Sequence, residues 1–423
     1  MTGFQIAAVL LTLTAALAYV NARLLRLPSA IGLMATALVA SLVILVLDGA
    51  GITSLADHMR ALLDQVDLSA SLLHGALGLL LFAGALHVDL DELRRERGAI
   101  AALAFGGTLL STALIGFGVY AIFALLGIDV PLIQGLLFGA VVSPTDPIAV
   151  LGILRTAGAP RRLEVVITGE SLFNDGLGVV IFVALLSAAV GAHPSAGSIA
   201  LLFVREALGG AAFGVASGYL AFLLLRSLDQ YTVEIMITLA LVVGGYAAAE
   251  LLHVSAPIAA VTAGLLVGNQ GRSRAMSRTT RDYLDAFWEV IDEILNAMLF
   301  LLLGLEVVRL RFSTPLLAAS ALAVPLVLAA RLASVAVPMT WLRGLRRDAP
   351  GAIRVLTWGG LRGGISVALA LSLPPGAPRQ AVLPVTYAVV AFSILVQGLT
   401  LGPLVRRVAA HHREAEPAQP PAS

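Results

Sequence analysis

Apolar residues in this chain run in continuous blocks, most of them about 20 residues long, separated by short polar intervals. Blocks of that length fit α-helices crossing a hydrocarbon core of roughly 30 Å. A membrane β-strand would alternate apolar and polar residues with a period of two, and these blocks do not alternate. The pattern predicts an all-α polytopic membrane protein of about 13 transmembrane helices. They fall near 4–22, 29–47, 70–88, 98–127, 131–154, 163–190, 197–224, 231–251, 255–270, 284–308, 314–342, 354–373 and 382–405. The first block is read as a helix and not as a signal peptide, because Arg23 and Arg26 follow its apolar run and no small-residue cleavage site comes after it.

Composition removes the soluble alternative. Hydrophobic residues make up 59% of the 423 positions, charged residues only 13%, and the mean hydropathy is +0.94. Ordinary soluble domains are about 25% charged, and a chain this poor in polar residues cannot cover its own core with them. Membrane lipid is therefore the expected surrounding, and every backbone group must be satisfied within helices. The longest loops lie near 48–69 and 271–283, too short for a soluble domain, so residues 1–408 read as one transmembrane unit and 409–423 as a short disordered cytoplasmic tail. Cysteine is absent, which rules out disulfides and thiolate metal sites. The net charge of +1 says little about partners; no nucleic acid and no cofactor are expected.

Arginine, the only fixed cation in the chain, tests the helix count. With the loop after the first segment placed in the cytoplasm and sides alternating thereafter, 20 of the 27 arginines fall on the cytoplasmic side and four on the other. The remaining three, Arg205, Arg331 and Arg362, lie within segments. One miscounted helix would invert every later loop and destroy this bias, so the positive-inside rule supports thirteen spans. The N-terminus is then outside and the C-terminus cytoplasmic.

Ionisable groups inside a bilayer are costly and mark function by default. Segment 5 carries Ser143-Pro144-Thr145-Asp146-Pro147 halfway along an apolar run. Neither proline can donate a backbone hydrogen bond, so the carbonyls of Ala140 and Ser143 lose their helical partners and the helix should break. That exposes oxygen ligands suited to a hard cation beside the Asp146 carboxylate; a kinked helix whose aspartate caps the second half is a compatible alternative. Segment 6 reads Gly169-Glu170-Ser171-Leu172-Phe173-Asn174-Asp175-Gly176. At 100° per residue, Glu170, Asn174, Ser171 and Asp175 fall at about 0°, 40°, 100° and 140°, one polar face on an apolar helix. Such a face turns toward protein or a water-filled cavity. An interhelical hydrogen-bond network accounts for Asn174 equally well, but not for Asp175.

Segment 12 holds Gly359-Gly360-Leu361-Arg362-Gly363-Gly364. Its glycines permit a non-helical crossing. Without a preceding strand or a Walker lysine they are no nucleotide site. Arg362 stays charged and needs either a buried carboxylate or the negative end of a half-helix. Glu170 is the expected partner, in a structural ion pair. Arg331, inside segment 11, receives no role. Asp285, Glu289, Asp292 and Glu293 on segment 10 read as a solvated face or a cavity rim, and His87 and His253 as ordinary polar residues.

The two broken segments, 5 and 12, are seven apart. With an odd helix number, segments 1–6 and 8–13 enter the membrane in opposite senses, the inverted-repeat logic of secondary transporters whose interrupted helices meet at the midplane.

The runs SPTDPIAVL (143–151), GESLFNDGLGVVIF (169–182), NAMLFLLLGLEV (296–307) and GGLRGGISVALALSLP (359–374) resemble the cation/proton antiporter-1 family, which includes bacterial NhaP-type sodium/proton antiporters and animal sodium/proton exchangers. The resemblance implies a homodimer in the plasma (bacterial inner) membrane. It implies a moving core of helices at about 98–190 and 314–405, and dimerisation helices at about 4–88 and 197–308. By motif position it implies that Asp175 binds the ion and the proton, with Asn174 as its partner. Asp146, Ser171 and the Thr145 carbonyl become ligands of a monovalent cation, while Glu170 pairs with Arg362. Some relatives carry an acid in segment 3 where this chain reads Leu81-Phe82-Ala83-Gly84-Ala85; if Ala83 is that position, one ligand is missing.

The expected activity is exchange of sodium, or another monovalent cation, for protons, by alternating access with competition at Asp175. The neutral Asn174 beside it leaves few titratable charges, so one sodium for one proton is expected, with no net charge moved. An intramembrane aspartyl protease lacks the necessary G-x-G-D context, and no H-E-x-x-H zinc motif is present. A cation channel needs carbonyl or charge rings, and nothing in the chain resembles a filter.

Overall fold

The structure, a computed structural model, describes residues 3–64, 75–190, 196–310, 313–341 and 351–415. Among these residues all regular structure is helical. In chain order the principal elements begin with α1 (Gly3–Val20), α2 (Ser29–Gly49), α3 (Leu55–Asp64), α4 (Leu77–Leu86), α5 (Leu90–Arg95) and α6 (Arg97–Leu125, with a π turn at Ala102–Gly107). They continue with α7 (Leu132–Val142), α8 (Ile148–Ala157), α9 (Arg161–Ala189), α10 (Ala196–Arg226), α11 (Tyr231–Leu251) and α12 (Ala256–Leu266). The last are α13 (Arg278–Glu306), α14 (Thr314–Trp341), α15 (Ala352–Trp358), α16 (Gly364–Leu371), α17 (Ala377–Phe392) and α18 (Gly398–Ala415).

Eight helices among the described residues are long and apolar enough to cross a membrane, and α4 and α7 are shorter apolar helices. Local chemistry sets many of their ends. The Asp89 carboxylate accepts from the amides of Asp91 and Glu92 to start α5, and Ser255 and Ser277 cap α12 and α13 through their hydroxyl oxygens. Pro28, Pro131 and Pro160 stand immediately before α2, α7 and α9. Proline fits there because the first-turn amides have no intrahelical acceptor in any case.

Two departures from the expected pattern stand out, one at 48–69 and one at the C-terminal tail. The predicted loop at 48–69 contains α3, whose Leu55, Ala56, Met59 and Leu63 lie on one face; Ala56 and Leu63 are buried, and residues 65–69 lie outside the described residues. The third predicted segment, 70–88, is helical as α4, with 70–74 likewise outside the described residues. Residue 342, the expected end of segment 11, also lies outside them. The tail expected to be disordered from 409 is helical to Ala415; residues 416–423 are outside the described set.

Packing gathers the helices around a few apolar clusters. Ile115 of α6, Phe138 and Val141 of α7, Phe182 of α9, Val327 of α14 and Val385 of α17 meet in one. Another joins Ile31 and Met34 of α2 to Phe300 and Leu303 of α13 and Leu356 of α15. Phe82 of α4 and Trp288 of α13 pack with ring centroids 4.9 Å apart in a third, beside Leu225 of α10. Leu201, Leu208 and Val215 of α10 and Met236 and Val243 of α11 remain exposed. In a lipid solvent such residues need no protein partner.

Two apolar runs are split, α7 from α8 at residues 143–147 and α15 from α16 at residues 359–363. Buried polar side chains, Ser143, Thr145 and Arg362 among them, lie at these breaks.

Candidate ion site at the helix breaks

The two breaks touch each other. The Asp146 amide donates to the Leu361 carbonyl at 2.7 Å, a backbone bond between non-helical segments. Glycine makes the approach possible: a Cβ at Gly363 would overlap the Asp146 carboxylate. On the other side, a Cβ at Gly178 of α9 would overlap the Pro144 ring. The sequence demanded a broken helix at the two prolines, and these glycines let the neighbouring backbones close around it.

α9 lies alongside the first break and presents its polar face there. Asn174 Nδ2 donates to Thr145 Oγ1 at 2.9 Å, the Thr145 amide donates to Asn174 Oδ1 at 3.2 Å, and the Thr145 and Ser171 hydroxyls are 2.9 Å apart. Thr145, Ser171 and Asn174 are buried, and Asp175 is only 4% exposed. Asp146 is partly exposed. Among the described residues no hydrogen bond reaches the Asp175 carboxylate, while the charge of Asp146 acts on it. Two carboxylates, one enclosed and one partly open, thus sit beside two hydroxyls and an amide. Oxygen atoms of this kind are the ligands that hard cations take.

The expected ion pair is corrected. Glu170 is held by Arg331, not Arg362: Arg331 Nη1 bonds Glu170 Oε1, and Nη2 donates to Oε2 at 3.0 Å. The same guanidinium donates to the Leu356 carbonyl in the last turn of α15, from Nη2 at 2.9 Å and from Nε at 3.2 Å. Arg362 takes the other stabilisation open to it, the negative end of a half-helix. Its Nη1 donates to the Ser143 carbonyl and, at 2.9 Å, to the Pro144 carbonyl, just past the end of α7. Pro147 cannot supply the amide that the Ser143 carbonyl would otherwise bond, so the arginine meets a real vacancy in the ladder. Glu170 still adds to the electrostatics around Arg362 without bonding it. The physical reason is that the Arg331 fork meets both Glu170 oxygens, while Arg362 meets the carbonyls of Ser143 and Pro144 past the end of α7.

Two residues were missed as members of this neighbourhood. Arg331 lies inside an apolar run, where a buried arginine requires an acceptor. Asp292 of α13 is more than part of a charged rim. Its carboxylate feels the charge of Asp146, and one of its oxygens is enclosed without a hydrogen-bond partner. Glu289 and Glu293 are exposed, as a solvated face requires. Ala83 is buried on α4, and the His87 ring beyond it bonds the Ala83 carbonyl at 2.9 Å. No group of three or more His, Cys, Asp or Glu side chains suited to holding a metal occurs among the described residues.

Membrane-length helices with buried ionisable side chains around two mutually bonded helix breaks are features of a membrane transport protein. The transmembrane model of the sodium/hydrogen exchanger family matches residues 9–407, and the chain belongs to that family. It is 53% identical over 409 residues to the Na(+)/H(+) antiporter NhaP of Pseudomonas aeruginosa, covering 96% of each chain. Against the Na(+)/H(+) antiporter NhaH of Halobacillus dabanensis the identity is 35%, over 92% of this chain and 93% of the other. The fold is similar to that of the sodium proton antiporter MjNhaP1 from Methanocaldococcus jannaschii, with a TM-score of 0.74 at 19% identity over 95% of this chain and 97% of that one. Its class is that of transporters, not enzymes.

Proposed function

We propose that this protein exchanges sodium, or another monovalent cation, for protons across the bacterial plasma membrane, with both ions competing for Asp175. The observation that carries the reading is the Asp175 carboxylate itself, 4% exposed and without a hydrogen-bond partner among the described residues. An ionised carboxylate so enclosed is costly unless something neutralises it. A proton does so, and so does a desolvated cation shared with Asp146, Ser171 and Thr145. The two cannot be held together, because either one cancels the charge that attracts the other. Asn174 orients Thr145 through its paired hydrogen bonds.

Competition at one carboxylate leads to a one-for-one, electroneutral exchange, and the neutral Asn174 beside Asp175 supports that count. Alternating access follows from the arrangement proposed for the chain: thirteen spans as inverted repeats, with segments 5 and 12 as crossing helices. In it the core helices around 98–190 and 314–405 swing against the dimerisation helices around 4–88 and 197–308. The joint packing of α6, α7, α9, α14 and α17 in one apolar cluster supports such a core. The names of the relatives agree with sodium and protons as cargo. A homodimer with its N-terminus outside and C-terminus cytoplasmic, serving pH homeostasis, completes the proposal.

The test is sodium-driven proton movement in proteoliposomes carrying a pH-sensitive dye. Wild-type protein is expected to move protons when sodium is added, and Asp175→Asn to fold yet move none. Undiminished exchange by Asp175→Asn would remove the site from the mechanism.

A further inference from the structure

The non-helical stretch 359–363 has backbone groups that no helix satisfies, and a different helix supplies their partners. Between α17 and α18 the chain makes a π turn at Ser393–Gln397, closed by the Gly398 amide on the Ser393 carbonyl. π turns recur at functional positions because they re-aim side chains. Here Ser393 Oγ accepts from the Arg362 amide at 2.9 Å, and Gln397 Nε2 donates to the Trp358 carbonyl at 3.0 Å. One turn further, the Trp358 indole donates to Thr400 Oγ1 at 2.8 Å. Ser393 and Gln397 are 1% and 4% exposed, so their two bonds are shielded from water, whereas the Thr400 bond is exposed.

The Ser393 bond has a particular consequence. The carbonyl of Leu361 and the amide of Arg362 belong to one peptide plane. Its carbonyl end receives the Asp146 amide at 2.7 Å, and its amide end is held by Ser393. A rigid planar unit fixed at both ends cannot rotate. We propose that Ser393 is a positioning residue for the cation site. By fixing the Leu361–Arg362 peptide plane, it sets where the Asp146 backbone sits and where the Arg362 side chain leaves for the Ser143 and Pro144 carbonyls. Without the hydroxyl the buried Arg362 amide loses its acceptor, and the plane is free to turn away from Asp146. Ser393 itself touches no cation.

This rests on Asp146 being a cation ligand, and the experiment separates the two ideas. Sodium KM and maximal exchange rate are measured in proteoliposomes of the full chain for wild type, Ser393→Ala, Ser393→Thr, Thr400→Val and Asp146→Asn. Ser393→Ala is expected to raise the sodium KM about five- to tenfold with a much smaller change in maximal rate, the pattern of a disturbed binding geometry. Ser393→Thr, which keeps the hydroxyl, restores the wild-type KM. Thr400→Val, which removes the bond between α18 and Trp358 of α15 away from Asp146, leaves it unchanged. If Ser393→Ala does not fold, Ser393→Cys replaces it, since a thiol is a weak acceptor of similar shape, and a raised KM is expected there. A wild-type KM in the folded Ala or Cys variant, or an equal rise in Thr400→Val, overturns the positioning role. A wild-type sodium KM in Asp146→Asn instead overturns the underlying assignment of Asp146.

Discussion

The Glu170 carboxylate is gripped by both terminal nitrogens of Arg331, 161 positions further along the chain, and the same guanidinium donates to the Leu356 carbonyl of α15. One side chain therefore ties α9, which carries Ser171, Asn174 and Asp175, to α14 and to the half-helix that leads into the second break. Arg362 makes the complementary tie, from the second break to the end of α7. Each half-helix that runs into a break thus has carbonyls near its C-terminal end met by an arginine, the sign of charge that a helix C-terminus favours.

A double-mutant cycle on thermal unfolding in detergent separates the two arginines. Glu170→Gln leaves Arg331 buried without its acid and is expected to cost about 3–5 kcal/mol, the scale for breaking one partner of a buried pair. Combining it with Arg331→Gln should cost much less than the sum of the single changes. Combining it with Arg362→Gln should come closer to additive, because no hydrogen bond joins those two side chains. A larger coupling for Arg362 than for Arg331 would contradict the assigned pair.

Gly363 is predicted to tolerate no side chain. Gly363→Ala puts a methyl group into the space of the Asp146 carboxylate. Displacement of a binding group by about 1 Å can cost about 10²-fold in rate, and a loss of that order in sodium-driven exchange is expected with the protein still folded. Gly152→Ala is the control, since a Cβ there meets nothing within 4 Å.

Charge balance gives a third prediction. One sodium exchanged for one proton moves no net charge, so a potential imposed across the liposome membrane should neither drive nor slow exchange. With a movement of one elementary charge, 100 mV would contribute about 2.3 kcal/mol, an effect easily seen. A transport current that reverses with voltage would replace the one-for-one count.

Much of this was legible in the residues. Continuous apolar blocks gave the helical membrane class, because only length and the absence of alternation are needed. The two prolines flanking Thr145 and Asp146 gave the first break, because each removes a specific hydrogen bond. The polar face of α9 followed from helix periodicity alone. What the sequence hid is pairing across the molecule. The sequence pairs Glu170 with Arg362 and leaves Arg331 without a role, because nothing in the spacing says which guanidinium reaches the carboxylate. Ser393 and Gln397 escaped notice because a serine and a glutamine in an apolar run look like any tolerated polar residue. Their meaning depends on a neighbouring backbone that has lost its own partners. The helix α3 was hidden for a similar reason: its single buried face is too short to register as a span.

The most direct test of the central claim counts protons as sodium binds. Cation binding to a protonated carboxylate must displace the proton. Titration calorimetry of the purified protein with sodium, repeated in buffers of different ionisation enthalpy, reads that number. The account predicts one proton released per sodium bound by wild type, and neither binding nor release by Asp175→Asn. Sodium binding without proton release, or unchanged release from Asp175→Asn, would contradict it.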